Sequence, residues 1–257
     1  MAVIACFYSC TKVINIDLNS KDPQVMIEGE VTDDSLTPQT VNITRSVNFS
    51  DENVFPRVTG ASVKINDDAG NMAILAETSP GVYQDAVLRG IPGRTYYLTV
   101  IADGKTYTSI CKMPQKVPFD TLVIKDRTGF GGGPGSSGEK SATPVFHDPI
   151  GQGNYYRFKL ERNSTFSNSI FLFNDEVVDG GVNNRSINDG DLPLKANDTV
   201  KVKMMCIDKA VNLYFYSMRQ NTNNSTATPA NPVTNINGAT LGYFSAHTVQ
   251  TKIAIIQ

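Results

Sequence analysis

Residues 95–113 read TYYLTVIADGKTYTSICKM. Two runs in which apolar and polar residues alternate, Thr95 to Ala102 and Lys105 to Met113, flank Asp103-Gly104. An Asp-Gly pair in this setting predicts a β-hairpin closed by a type I′ turn, because both residues tolerate positive φ and the turn's twist matches that of the strands. Just upstream, Gly93-Arg94-Thr95-Tyr96-Tyr97-Leu98 enters the first strand. Tyr96 stands where immunoglobulin-like sandwiches carry a tyrosine corner, its hydroxyl bonding back to the preceding chain.

The same pattern extends upstream. Gln24 to Val31 (QVMIEGEV) and Thr40 to Val47 (TVNITRSV) alternate as half-buried strands do. Ala61 to Ile65 and Met72 to Ala76 flank the turn Asn66-Asp67-Asp68-Ala69-Gly70-Asn71, a second hairpin, and Gly81-Val82-Tyr83 opens a short strand. Met113-Pro114 ends the unit. Downstream, Phe119 to Lys125 predicts a strand, followed by a Gly/Ser-rich stretch from Thr128 to Ser141. Asn154 to Arg162 (NYYRFKLER) places Tyr156, Phe158 and Leu160 on one strand face; Ile170 to Phe173 and Asp198 to Cys206 predict further strands. Then the period changes. Ile207, Ala210, Val211, Tyr214, Phe215 and Met218 form the stripe of an amphipathic helix, with Asp208 as its N-cap. Ala239 to Ile256 carries one or two closing strands.

The expected fold is therefore all-β with one amphipathic helix: an immunoglobulin-like β-sandwich over 24–115, then a second β-sandwich or jelly-roll-like domain over 116–257 that holds the glycine-rich loop 128–141 and the helix 207–220. The chain has 257 residues, 40% of them hydrophobic, which is enough for a sizeable core. The net charge is −2 with no Lys/Arg-rich run. This argues against a duplex nucleic-acid partner, which would need a basic face.

The N-terminus reads MAVIACFYSC, apolar until polarity begins at Thr11-Lys12. An export signal ends in small residues at its cut, and a lipoprotein signal ends at the cysteine that takes the lipid. Ser9-Cys10 fits, although Phe7 stands where Leu is usual. The basic head of such a signal is missing, which implies a translated start upstream of Met1. Residues 1–10 are thus read as a signal ending at lipidated Cys10, with Cys6 as the alternative, and residues 11–23 as a tether. Two acyl chains would hold the protein on a membrane without a spanning helix. Cys111 and Cys206 fall in different predicted units and are expected as buried thiols.

Motifs for catalysis are weak. Gly133-Pro134-Gly135-Ser136-Ser137-Gly138-Glu139-Lys140-Ser141 approaches a phosphate-binding loop, but Glu139 separates the glycine from the lysine and Pro144 precludes a following helix. Neither His147 nor His247 stands at metal-ligand spacing, and Gly-x-Ser-x-Gly is absent, so no catalytic residue, metal site or cofactor is expected. The oxygen-rich runs 66–71 and 188–191 lack the full calcium-loop spacing and are read as turns. Without tryptophan, a sugar-stacking surface would rest on Tyr155, Tyr156, Tyr243 or Phe244, and alternation makes either Tyr155 or Tyr156 a core residue.

Several segments together resemble one family. They are Cys10 to Leu18, Val25 to Val31 with Ile27-Glu28-Gly29, Thr44-Arg45-Ser46, Val58 to Val63, Gly81-Val82-Tyr83, Gly93-Arg94-Thr95-Tyr96 and Lys112-Met113-Pro114. Near the end come Asn231-Pro232, Asn235-Ile236-Asn237-Gly238 and Leu241-Gly242-Tyr243-Phe244-Ser245. The chain resembles the Bacteroidota lipoproteins called domain of unknown function 4249. The resemblance implies lipidation at Cys10, an immunoglobulin-like first domain, a second β-rich domain, and an accessory role beside a TonB-dependent outer-membrane transporter, with no catalytic residues to carry over. On this reading the chain is a non-enzymatic outer-membrane lipoprotein that helps bind or take up a nutrient, either a small molecule or a glycan. The alternatives are a surface adhesin or envelope-structural module, and a hydrolase whose site is assembled from distant residues. The first acidic residue after Cys10 is Asp17, which leaves the outer surface and the periplasmic face both open.

Overall fold

The computed structural model describes residues 22–48, 52, 54–127, 138–151, 153–176, 179–222, 230–239 and 241–257. Cys10, Cys6 and nearly all of the tether lie outside them, as does most of the glycine-rich stretch.

The predicted hairpins form. In the first half the strands are β1 (Val25–Thr32), β2 (Gln39–Arg45), β3 (Ser62–Asp67), β4 (Met72–Ser79), β5 (Val82–Asp85), β6 (Thr95–Ala102) and β7 (Lys105–Lys112). Asp103 and Gly104, at φ 51° and 71°, close β6 onto β7 as a type I′ turn requires. Tyr96 is fully buried and closes its corner: its hydroxyl accepts from Ile91 N at 2.7 Å and donates to Arg89 O at 3.3 Å. Alternation sends Ile27 and Val31 of β1, Val41 and Ile43 of β2, Val63 and Ile65 of β3, and Leu98 and Val100 of β6 into one apolar core.

The second half adds β8 (Thr121–Asp126), β9 (Lys140–His147), β10 (Tyr155–Arg162), β11 (Thr165–Phe166), β12 (Phe171–Asn174), β13 (Val182–Asn183), β14 (Thr199–Ile207), α1 (Lys209–Thr222), β15 (Ile236–Asn237) and β16 (Leu241–Ile255). The three-stranded sheet β13-β9-β8 lies over the face of β10 and β14 that carries Tyr156, Phe158, Leu160, Val200, Val202 and Met204. Phe146 fills that second core, its ring 4.6 Å from Tyr156 and 6.0 Å from Phe158. Lys140, the lysine of the phosphate-loop-like run, begins β9 and pairs with Asp126 at 2.6 Å. The helix begins two residues later than its stripe suggests, because Ile207 still pairs with Tyr155 as the end of β14. Asp208 is the N-cap: its Oδ1 accepts from Val211 N at 2.8 Å. Cys111 and Cys206 are buried, free thiols.

Both packing and hydrogen bonding cross the expected boundary at 115/116: the first core also takes Met205, Ile207, Val211, Tyr214 and Phe215 from beyond it. Thirteen strands form one sheet in the path β11-β10-β14-β16-β1-β2-β5-β4-β3-β6-β7-β15, with β12 beside β10. Its hinge is β16, a single fifteen-residue strand. Residues 241–247 pair in parallel with β1, from Met26↔Leu241 to Thr32↔His247. Residues 248–255 pair antiparallel with β14, from Cys206↔Thr248 to Thr199↔Ile255. The C-terminal strand thus supplies Phe244 and Ala246, both fully buried, to the N-terminal core, and β15 extends the sheet beyond β7.

Close approach of β1 and β16 requires a glycine. At Gly242 φ is +97°, and a Cβ there would lie 2.0 Å from the Ile27 carbonyl oxygen. Gly242→Ala should therefore destabilise the fold by about 3 kcal/mol or more, adding backbone strain to a backbone clash. Gly70→Ala provides the control: φ is also positive, at +87°, but nothing lies within 4 Å, so the cost should stay near about 1 kcal/mol. Urea unfolding of the two variants checks the difference.

Candidate functional site

Because Phe244 and Ala246 point into the first core, Tyr243, Ser245 and His247 point to the opposite face of the sheet. The parallel register sets Glu28 beside Tyr243, Glu30 beside Ser245 and Thr32 beside His247. Across β16, the pairing of β14 with β10 sets Arg157 beside Met205 and Lys159 directly opposite Lys203. One face of the joined sheet therefore gathers Glu28, Glu30, His247, Arg157, Lys159 and Lys203. Helix α1 closes one end of it. The Tyr243 ring packs 5.0 Å from Tyr214 and 4.9 Å from Phe215, and the Arg157 guanidinium lies 3.6 Å above the Phe215 ring.

The polar groups of this face are strongly perturbed. Tyr243 donates its hydroxyl to Glu30 Oε1 at 2.9 Å, and Ser245 Oγ shares a 2.9 Å hydrogen bond with His247 Nδ1. Burial pushes the His247 imidazole down to about 4, against the opposing pull of Glu30. The ring is therefore neutral at neutral pH. Burial alone would raise Glu30, but His247, Lys159, the Tyr243 hydroxyl and Arg157 together hold it below the ordinary carboxylate range. Glu28 moves up through burial and through its neighbour Glu30, and Lys159 moves down through burial despite Glu30. Like charges directly opposite each other on paired strands are unfavourable, and Lys159 opposite Lys203 is such a pair.

A Ser, a His and a carboxylate in one place invite comparison with a catalytic triad, but the geometry differs. Ser245 and His247 are two residues apart on one strand, and they are 2% and 4% exposed. The imidazole meets the serine through Nδ1, the nitrogen that a triad turns to its carboxylate. A hydroxyl closed off in this way is not presented to a substrate. The arrangement is suited to holding charge, and its cations and carboxylates could orient a polar ligand laid on the sheet.

The other candidates separate from this face. His147 is exposed, its Nδ1 3.6 Å from Asp120. Its neighbour Asp148 is buried and accepts from the Tyr156 hydroxyl. Asp148, Asp175 and Asp179 bring carboxylate oxygens within 4.8 Å of one another, an acidic cluster that no sequence spacing announced. Backbone amides already serve it: Gly153 N and Asn154 N donate to Asp175 at 2.7 and 3.0 Å, and Gly151 N to Asp179 at 2.8 Å. The oxygen-rich runs are turns, as expected: Asp67 caps Ala69 N and Asn71 N, and Asp189 caps Asp191 N. Of the four aromatic candidates, Tyr156, Tyr243 and Phe244 are core residues, and Tyr155 packs partly against the first core.

Glu28, Glu30, Arg157, Lys159 and Ser245 were missed by sequence reasoning. Four of them stand at polar positions of QVMIEGEV and NYYRFKLER, whose alternation places them on one strand face without saying what that face meets.

The fold defines a mostly β protein built of packed sheets around two cores. The chain belongs to the family described as Domain of unknown function (DUF4249), whose model matches residues 11–253. No curated protein matches it.

Acid should weaken this face in a defined order. With His247 lowered in the fold, the unfolded chain takes up its proton first, so stability is full above the ordinary histidine range and falls as pH drops from about 6.5 towards about 4. Glu30 adds a further loss at lower pH as its carboxylate is forced to protonate. The histidine share should approach roughly 3 kcal/mol. In His247→Gln the slope of urea stability against pH should flatten between 6.5 and 4 and persist below that range.

Proposed function

We propose that the chain is a non-enzymatic lipoprotein of the Bacteroidota outer membrane, anchored through Cys10, that assists a TonB-dependent transporter in binding or taking up a nutrient. The observation that carries this reading is the charged face laid across the joint between first and last strands. Half-buried Lys159, Arg157, Glu28 and Glu30 are costly to desolvate, and their side chains stand on rigid strands, where a ligand-holding surface is best placed. The family whose model matches residues 11–253 is the one whose resemblance suggests an anchor at Cys10. No helix among the described residues is long and apolar enough to cross a membrane, and a lipid would supply attachment without one. The closed position of Ser245 and His247 disfavours the hydrolase reading.

Two measurements test the proposal. Metabolic labelling with a palmitate analogue in a Bacteroidota host, from the full native gene, should label the wild type and Cys6→Ser but not Cys10→Ser. An unmodified Met1 in the mature protein would sink the anchor. Mild crosslinking and purification of the tagged, membrane-bound protein should recover a TonB-dependent transporter. A membrane eluate without one, from a strain whose deletion mutant takes up nutrients normally but attaches poorly, would instead favour an adhesin.

A further inference from the structure

In the first sandwich, β4 leaves half of its edge unpaired. The β3–β4 ladder closes with Asp67 N donating to Asn71 O at 2.9 Å. Bonded pairs then recur at every second residue, at Ile65↔Ala73 and Val63↔Leu75. The amides and carbonyls of Met72 and Ile74 therefore point away from β3. On that side β5 pairs with β4 only from Ala76 onward. Among the described residues, no backbone hydrogen bond reaches Met72 or Ile74 on that side.

The space beside this edge is a preformed groove of about 630 Å³, walled by β4 and by the segment from Asp85 to Arg94. Its far wall is fixed in place: Ile91 N is held by the Tyr96 hydroxyl, Gly90 N by Thr32 O and Gly93 N by Met113 O. The groove exposes large apolar side chains, with Met72 61%, Ile74 69% and Val87 83% accessible. An open, flat, apolar strand edge is normally blunted by a charge, a proline or a covering loop, and residues 72–75 carry neither charge nor proline. The charged side chains that line it are Asp85, Arg89 and Arg94. Asp85 spends Oδ1 on Val87 N and Leu88 N, and Arg94 is tied to Asp67 at 2.6 Å. Arg89 is exposed and has no carboxylate partner among the described residues.

We propose that this groove is a strand-addition site that takes an extended acidic segment of a partner protein. The segment would pair its backbone with Met72 and Ile74, lay alternate apolar side chains against Met72, Ile74 and Val87, and set a carboxylate against Arg89. Main-chain bonds supply affinity in this mode, and alternate pockets supply selectivity. The inference is independent of the ligand reading of the charged face.

The test is a nitrogen-15 NMR titration of the full chain with two acetylated, amidated peptides, Thr-Val-Thr-Val-Glu-Val-Thr and its counterpart with Lys for Glu. The acidic peptide should shift the Met72 and Ile74 amides and slow their hydrogen exchange. It should bind about tenfold more tightly than the basic one, a difference of about 1.4 kcal/mol. Arg89→Glu should reverse that preference, and Ile74→Pro, which removes an outward N–H, should abolish binding. Shifts centred elsewhere, an Arg89→Glu protein with unchanged preference, or no response at millimolar peptide would overturn the proposal. So would amides of Met72 and Ile74 that are protected in the free chain and lose protection on dilution, since the occupant would then be a second copy. Should Ile74→Pro fail to fold, the charge reversal at Arg89 still decides.

Discussion

The parallel pairing of β1 with the first half of β16 holds the two halves of the molecule together. It joins residues more than two hundred positions apart and makes a sheet out of what would otherwise be two sandwiches in series. The contact is close because Gly242 allows the backbones to meet at Ile27, and it delivers Phe244 to a space that Gly29, Val41 and Leu98 leave open. A Cβ on Gly29 would lie 2.9 Å from the Phe244 ring, so a glycine on each strand serves the same joint. The second half of the strand then turns to β14 and carries the sheet into the other core.

The same joint creates the polar face. A strand that buries Phe244 and Ala246 on one side must turn Tyr243, Ser245 and His247 to the other, where β1 has Glu28 and Glu30. Its neighbours β14 and β10 bring Lys203, Arg157 and Lys159 by the same alternation, having committed Val202, Met204, Phe158 and Leu160 to the second core. Desolvation and mutual charge then set the protonation of the face: a neutral imidazole, an ionised Glu30, and lysines that face each other across paired strands. Each group is tolerable because an opposite charge or a hydroxyl lies nearby.

Local features of this fold were legible in the sequence because their causes are local. Asp103-Gly104 demanded its turn, Tyr96 its corner, Asp208 its cap, and the stripe of Val211, Tyr214 and Phe215 its helix. The strand QVMIEGEV was legible too, including the faces of its residues. Its partner was not. A parallel pairing leaves no turn signal, and nothing within residues 25–32 points to residues 241–247. The segment after Ala239 could be read as one strand or two, since its apolar run changes face partners at Thr248 rather than pausing. The charged face depends on that pairing, so the alternation of QVMIEGEV alone does not single out Glu28 and Glu30. The acidic cluster was hidden for a similar reason: Asp175 and Asp179 share the segment between β12 and β13, but Asp148 follows β9 and joins them only in the folded chain.

The central claim is that the N-terminal sandwich is completed by the C-terminal strands. The most direct measurement is the amide spectrum and urea unfolding of residues 24–115 produced alone, with and without added residues 231–257 as a separate peptide. The account predicts poor dispersion and no cooperative unfolding for the isolated segment, because it lacks Phe244, Ala246 and Ile236 and leaves β1 unpaired on one side, with partial recovery when the peptide is added. A well-dispersed spectrum and a cooperative transition at the full chain's midpoint, unaffected by the peptide, would contradict it.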